Sequence, residues 1–137
     1  MYIVIAGCGR VGSCLALDLD AEGHTVAVVD IEQAAFRSLR PSFAGSTHQG
    51  LAYDVEVLRK SGIEHADAFA AVTDSDKVNA IAVRVATKAF GVPAAVARLN
   101  DPSSEETYRL LDVAFIAGAT ECSNAIRESL LVREPQL

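Results

Sequence analysis

An apolar run at the start of the chain, Tyr2-Ile3-Val4-Ile5-Ala6, leads directly into Gly7-Cys8-Gly9-Arg10-Val11-Gly12. A lone G-x-G-x-x-G is weak evidence, but one that follows a hydrophobic strand and opens a helix has few structural solutions. Gly7 permits the tight turn, Gly9 lets backbone approach a phosphate without a Cβ, and Gly12 lets the helix pack closely on the strand. The N–H groups left open at the helix N-terminus, with roughly half a positive charge from the helix dipole, then attract a phosphate anion.

The rest of the chain repeats this grammar. Strands are expected at Tyr2–Ala6, Thr25–Asp30, Ser46–Gln49, Ala68–Val72, Ala94–Arg98 and Val113–Ala117, with helical patterns near 10–22, 32–40, 54–61, 75–90, 103–111 and 121–132. Gly23, Gly62 and Gly91 stand where helices should stop, and Asp101-Pro102 supplies an N-cap followed by Pro at the first helical position. Strands alternating with helices give right-handed βαβ units, hence an α/β fold: a doubly wound, six-stranded parallel Rossmann sheet with a C-terminal helix. Ser46-Thr47-His48-Gln49 is the weakest strand, being short and polar. The chain has 137 residues, half of them apolar and only 6% aromatic. That suits one domain with a core of Val, Ile, Leu and Ala. The pattern at 75–90 is apolar around most of its circumference, so a subunit interface is expected there.

Net charge is -6. A surface that acidic repels phosphate backbones, which argues against nucleic acid and anionic membrane as partners. Cys8, Cys14 and Cys122 show neither CxxC pairing nor histidines at metal-ligand spacing, so they read as reduced thiols, and no metal site is expected. The N-terminal apolar stretch lacks a basic flank and is too short to span a bilayer, so neither a signal peptide nor a transmembrane helix is expected. His24, His48 and His65 have no catalytic arrangement, and Ser13 and Ser46 lack a nucleophile-elbow context.

Asp30 closes the second strand about twenty residues after the glycine loop, where a carboxylate can accept hydrogen bonds from both ribose hydroxyls. A 2′-phosphate within about 4 Å of it would meet roughly 1–4 kcal/mol of repulsion, which disfavours NADPH against NADH, ATP, ADP or AMP. Arg10 can reach a terminal phosphate from the first helical turn or stand as a solvated surface residue. Arg98, at the carboxyl end of the fifth strand, is either a ligand contact or half of a structural ion pair. Asp74, Asp76 and Asn79 most simply cap the following helix; the other reading is contact with the far half of a dinucleotide.

Together with the glycine loop and Asp30, three further stretches make a pattern: Leu58-x-x-Ser61-Gly62-Ile63-x-x-Ala66-Asp67-Ala68, Ala71-Val72-Thr73-Asp74-Ser75-Asp76 with Asn79, and Val96-Ala97-Arg98-Leu99-Asn100-Asp101-Pro102. From Met1 to about Thr120 the chain resembles the TrkA N-terminal domain, also called the RCK or KTN domain. The resemblance implies a cytoplasmic regulatory subunit of a potassium uptake system or channel. Such a domain binds NAD(H), ATP, ADP or AMP, forms a homodimer or ring-like oligomer, and acts on a membrane transporter or channel subunit. It places Gly7, Cys8, Gly9, Arg10, Val11 and Gly12 at the phosphates, Asp30 with Ile31 at the ribose, and Gly50, Leu51 and Ala52 beside the adenine. Val72 and Thr73 border the cleft opposite, with Arg98 nearby, and no residue is catalytic.

Two departures stand out. The family usually carries Gly-Asp where this chain has Gly50-Leu51, which removes a carboxylate from the adenine side. Family members also commonly continue into a smaller C-terminal ligand-binding domain, whereas this chain stops at Leu137; a stand-alone version and a trimmed one are both compatible with an intact nucleotide site. The other function class is an NAD-dependent oxidoreductase or a fragment of one. Against it, only about 20 residues follow the sixth strand, ending in a polar tail over Val132 to Leu137, without a convincing catalytic base. A redox-responsive repressor would need a DNA-binding helix pair that the sequence lacks.

Overall fold

Residues alternate in the first strand: Ile3 and Ile5 join one buried cluster, Val4 and Ala6 the other. This period of two is what a strand covered on both faces requires. The computed structural model describes residues 1–132, so most of the expected polar tail lies outside the described residues. In chain order the elements are β1 (Tyr2–Ala6), α1 (Arg10–Ala21), β2 (Thr25–Asp30), a 3-10 segment (Gln33–Ser38), β3 (Ser46–Gln49), α2 (Val55–Lys60), a 3-10 turn (Ile63–His65) and β4 (Ala68–Ala71). They continue with α3 (Asp76–Lys88), β5 (Ala94–Leu99), a 3-10 turn (Pro102–Ser104), α4 (Glu105–Leu110), β6 (Phe115–Ala117) and α5 (Gly118–Leu131).

The strands lie in the order β3-β2-β1-β4-β5-β6 and every neighbouring pair is parallel. The chain winds outward from β1 to β3, then crosses back to β4 on the other side of β1. The carboxyl ends of β1 and β4 therefore diverge into a crevice, the place where open α/β sheets bind ligands. On one face, Ala16 of α1 packs over Ile3, Ile5, Val26 and Val28, with Leu15, Leu19, Phe36 and Phe43 at the margin. On the other, Leu58, Ile63, Val83, Ala86 and Tyr108 from the α2, α3 and α4 side cover Val4, Val29, Phe69, Ala71, Ala97 and Leu99.

Capping follows side-chain chemistry. Asp54 accepts from the N–H groups of Glu56 and Val57, and Asp101 accepts from Ser103 N ahead of Pro102. A cap of this kind stabilises a helix by about 1 kcal/mol. At α3 the cap is Ser75, whose Oγ accepts from Val78 N at 3.2 Å; Asp74, Asp76 and Asn79 are engaged elsewhere.

Several expected boundaries move. The helix expected over 32–40 is a 3-10 segment with no fully buried residue; it ends at Ser38, where Leu39 turns to extended backbone two residues ahead of Pro41. β4 stops at Ala71 rather than Val72. Val72 N still reaches Ala6 O at 2.8 Å, but Thr73 N turns away to Asn79. β5 runs one residue further, to Leu99, and β6 begins at Phe115 after Asp112 takes up a left-handed φ of 54°. α5 starts at Gly118, three residues early, with Ala117, which offers no side-chain acceptor, in its N-cap position.

Candidate functional site

At the β1 turn, Gly7 adopts φ 112°, and a Cβ there would sit 2.9 Å from Thr73 N. A Cβ on Gly12 would collide with the Gly7 carbonyl oxygen, so α1 approaches the loop this closely only because position 12 is glycine. Gly9 differs: nothing lies within 4 Å of where its Cβ would be, leaving its face open to the crevice. It is also the N-cap of α1 and has no capping side chain, and the first turn of α1 carries no acid. The first N–H groups of any helix lack intrahelical partners. Here no side chain competes with a bound anion for them.

Asp30 faces this turn from the end of β2. Its Oδ2 accepts from Cys8 N at 2.7 Å and its Oδ1 from Glu32 N at 2.8 Å. Gly50 N, after β3, donates to the Asp30 carbonyl at 2.9 Å, and Gly7 N donates to Val29 O at 2.7 Å. One carboxylate thus ties the glycine loop to the exit of β2. Each of its oxygens keeps a second lone pair for a hydroxyl donor.

Between these elements lies a cleft of about 450 Å³ lined by Gly7, Gly9, Val29, Asp30, Ile31, Glu32, Ala35, Leu51, Ala52, Val72, Thr73, Asp74, Ser75 and Val78. Eight of the expected site residues fall on this lining: Gly7, Gly9, Asp30, Ile31, Leu51, Ala52, Val72 and Thr73. Cys8, Arg10, Val11, Gly12, Gly50 and Arg98 do not. Cys8 is 1% exposed, and its thiol is pushed up to about 11 by burial and by the neighbouring Asp30 charge, so it packs as a neutral hydrophobe. Arg10 and Val11 are exposed on the first turn of α1. Gly50 is pinned against Val57, and Arg98 pairs with Asp74 at 3.7 Å.

Sequence reasoning missed Val29, Glu32, Ala35, Ser75 and Val78 as lining. Glu32 could have been found, since it stands two residues beyond Asp30 and its N–H closes a local turn onto that carboxylate. The lining carries three acids, Asp30, Glu32 and Asp74, and no Lys, Arg, His, Tyr or Cys. Of the histidines, His24 Nδ1 meets the Met1 amino group at 3.1 Å and His48 Nε2 meets Ser46 Oγ at 2.9 Å. Burial lowers the His48 pKa. Among the described residues no group of His, Cys, Asp or Glu is placed to hold a metal ion, and no helix is long and apolar enough to cross a membrane.

The family model for the TrkA-N domain matches residues 3–118, which include every element of this cleft. The chain belongs to that family. Over 117 residues it is 50% identical to the Trk system potassium uptake protein TrkA of Streptomyces coelicolor, covering 85% of this chain and 52% of that protein. The chain thus spans about half the length of this curated relative.

Several solved structures share the fold. The TrkA-N domain of the inner membrane protein ybaL from Escherichia coli superposes with a TM-score of 0.83 at 19% identity, covering 94% of this chain and 96% of that one. The Kef CTD of Shewanella denitrificans, in its AMP-bound form, gives 0.82 at 21% identity, with coverages of 98% and 84%. The GsuK channel bound to NAD gives 0.72 at 22%, with coverages of 93% and 23%.

Proposed function

We propose that this TrkA-N domain is a nucleotide-sensing module that regulates potassium transport through a membrane partner. The observation that carries the proposal is the pairing, across one cleft, of a bare helix N-terminus at Gly9 with the braced Asp30 carboxylate. The first suits a phosphate anion, the second a ribose with free hydroxyls. The ligand is NAD(H) or an adenine nucleotide, ATP, ADP or AMP. The AMP-bound Kef CTD and the NAD-bound GsuK channel, both of this fold, support that choice.

In this reading Gly7, Gly9 and the first turn of α1 hold the phosphates, with Cys8, Val11 and Gly12 shaping that turn and Arg10 reaching a terminal phosphate. Asp30 and Ile31 hold the ribose. The wall made by Leu51 and Ala52, after Gly50, takes the base, and Val72 and Thr73 close the far side. Leu51, where the family usually has Asp, leaves an apolar wall and backbone groups to meet the base. Arg98 acts from behind by holding Asp74.

The domain works by binding rather than catalysis. Its cleft offers acids and hydroxyls but no histidine, lysine or thiol to carry a proton or form a covalent intermediate. Ligand favours one assembly geometry by its differential affinity for the two states. The assembly is a homodimer or ring, and two exposed apolar surfaces support it. Ile81, Val85, Ala89 and Leu111, flanked by Arg84 and Lys88, line a groove of about 400 Å³ between α3 and α4, and Ile126, Leu130 and Leu131 stand exposed on α5. The 50% identity to a Trk potassium uptake protein supports a cytoplasmic setting beside a potassium transporter or channel subunit.

A thermal-shift panel tests the reading. NADH, ATP, ADP and AMP should include ligands that raise the melting temperature by mass action, while NADPH raises it least because of Asp30. A panel in which no nucleotide stabilises the protein contradicts the proposal.

A further inference from the structure

Behind the cleft, at the start of α3, lies an asparagine that no solvent reaches. Asn79 is 0% exposed. Its Oδ1 accepts from Thr73 N at 2.9 Å and from Thr73 Oγ1 at 2.6 Å. Its Nδ2 donates to Thr73 O at 3.0 Å and to Arg98 O, at the end of β5, at 3.0 Å. A side-chain amide has two acceptor sites and two donors, and all four are used here. Three of the four go to a single residue, Thr73, which forms the lip of the cleft directly opposite Gly7.

An ordinary buried Asn satisfies whatever surrounds it. This one replaces the strand ladder: β4 stops where Asn79 takes the Thr73 N–H, and that amide makes three of the bonds that hold the lip, with Asn100 Nδ2 adding one to Thr73 O at 3.2 Å. The lip also touches the glycine loop closely enough that a Cβ on Gly7 would stand 2.9 Å from Thr73 N and 3.0 Å from the Val72 carbonyl carbon. The position of Thr73 therefore sets the gap between the lip and the turn that faces a phosphate.

We propose that Asn79 is the positioning residue for nucleotide binding: it touches no ligand, but it sets the cleft width by clamping Thr73 to β5. This rests on the nucleotide reading above. It also fixes Thr73's role, since the backbone N–H and hydroxyl that could have met a ligand are turned inward to Asn79. Thr73 is a wall, held in place.

The test measures dissociation constants for ADP and NADH by titration, at a temperature where every variant is folded. Asn79→Ala and Asn79→Asp should bind about ten- to a hundredfold more weakly than the unaltered chain. Asn79→Asp keeps the shape but, as a carboxylate, sets a bare oxygen against the Thr73 and Arg98 carbonyls. Buried there, its pKa should be raised, and protonation restores one donor. Its affinity, relative to the unaltered chain at the same pH, should recover as pH falls through that raised pKa.

Tyr108→Phe is the matched control. It removes the hydroxyl that lies 2.7 Å from the Asp76 carbonyl oxygen and 3.1 Å from the same Arg98 carbonyl oxygen, without touching Thr73, so it should lower the melting temperature yet keep the affinity. If Asn79→Ala does not fold, the pH recovery of Asn79→Asp carries the test. Binding by the Asn79 variants within twofold of the unaltered chain overturns the inference, as does an equal loss in Tyr108→Phe or a flat pH profile in Asn79→Asp. An unaltered chain that binds no nucleotide overturns the nucleotide reading and this inference together.

Discussion

The Asp30 carboxylate holds two backbone N–H groups, from Cys8 and Glu32, with no ligand needed to assemble them. Its substitution should therefore act twice. Asp30→Ala leaves those donors without their acceptor, which should lower unfolding free energy by about 1–3 kcal/mol in a urea titration and abolish nucleotide-induced stabilisation. Cys8 gives a contrasting expectation. With its thiol pushed up to about 11 and buried, it should resist alkylation at about pH 8, where only about a thousandth of it is thiolate. Exposed Cys14 and Cys122 should be modified first when the labelled protein is read by mass spectrometry. Rapid labelling of Cys8 would mean that the glycine loop opens.

At the scale of elements, Asp76 staples the start of α3 to the exit of β5, accepting from Asn100 N at 2.6 Å, Asn100 Nδ2 at 2.9 Å and Asp101 N at 2.8 Å. Burial pushes its pKa up, but the hydrogen bonds from Asn100, Asp101 and Ser104 outweigh that and leave it below its ordinary value of 3.8. A depressed carboxylate contributes stability that is fully present above the unfolded value and is lost as pH falls through the folded one. Melting temperatures followed downward from about pH 6 should therefore drop below about pH 4, and drop less steeply in Asp76→Asn, which starts lower. Equal slopes would show that the staple carries no linkage.

Such a staple was not legible in the sequence, because a carboxylate at a helix start looks the same whether it caps its own helix or bonds a distant loop. What was legible were elements whose pattern is local. β1, β2 and the glycine loop show in apolar period and glycine spacing, and even polar β3 sits where expected, its exposed side chains suiting a sheet edge. The starts of β6 and α5 were not: Asp112 tolerates a left-handed turn but does not dictate one, and Ala117 offers no cap acceptor to mark the start of a helix. The site divides likewise. Gly7, Gly9 and Asp30 follow from motif spacing, whereas Val78 and Ala35 reach the cleft only through the packing of α3 and the 3-10 segment.

For the whole molecule, the sheet order brings the exits of β1, β2 and β4 to one crevice, while apolar side chains remain exposed elsewhere. Ile81 is 40% exposed on α3 and Leu131 is 73% exposed on α5. Sedimentation at micromolar concentration should show a dimer or larger species, and Ile81→Lys should shift it toward monomer if the α3–α4 groove is the contact. A monomer throughout would contradict self-association.

Amide chemical-shift mapping during titration with ADP or NADH shows whether one nucleotide lies across the glycine loop, Asp30 and the Val72–Ser75 lip. Saturable shifts are expected at Gly7–Gly12, Asp30–Glu32, Leu51–Ala52 and Val72–Ser75. Saturating nucleotide that moves none of these amides, or moves only those of the groove between Ile81 and Leu111, would contradict it.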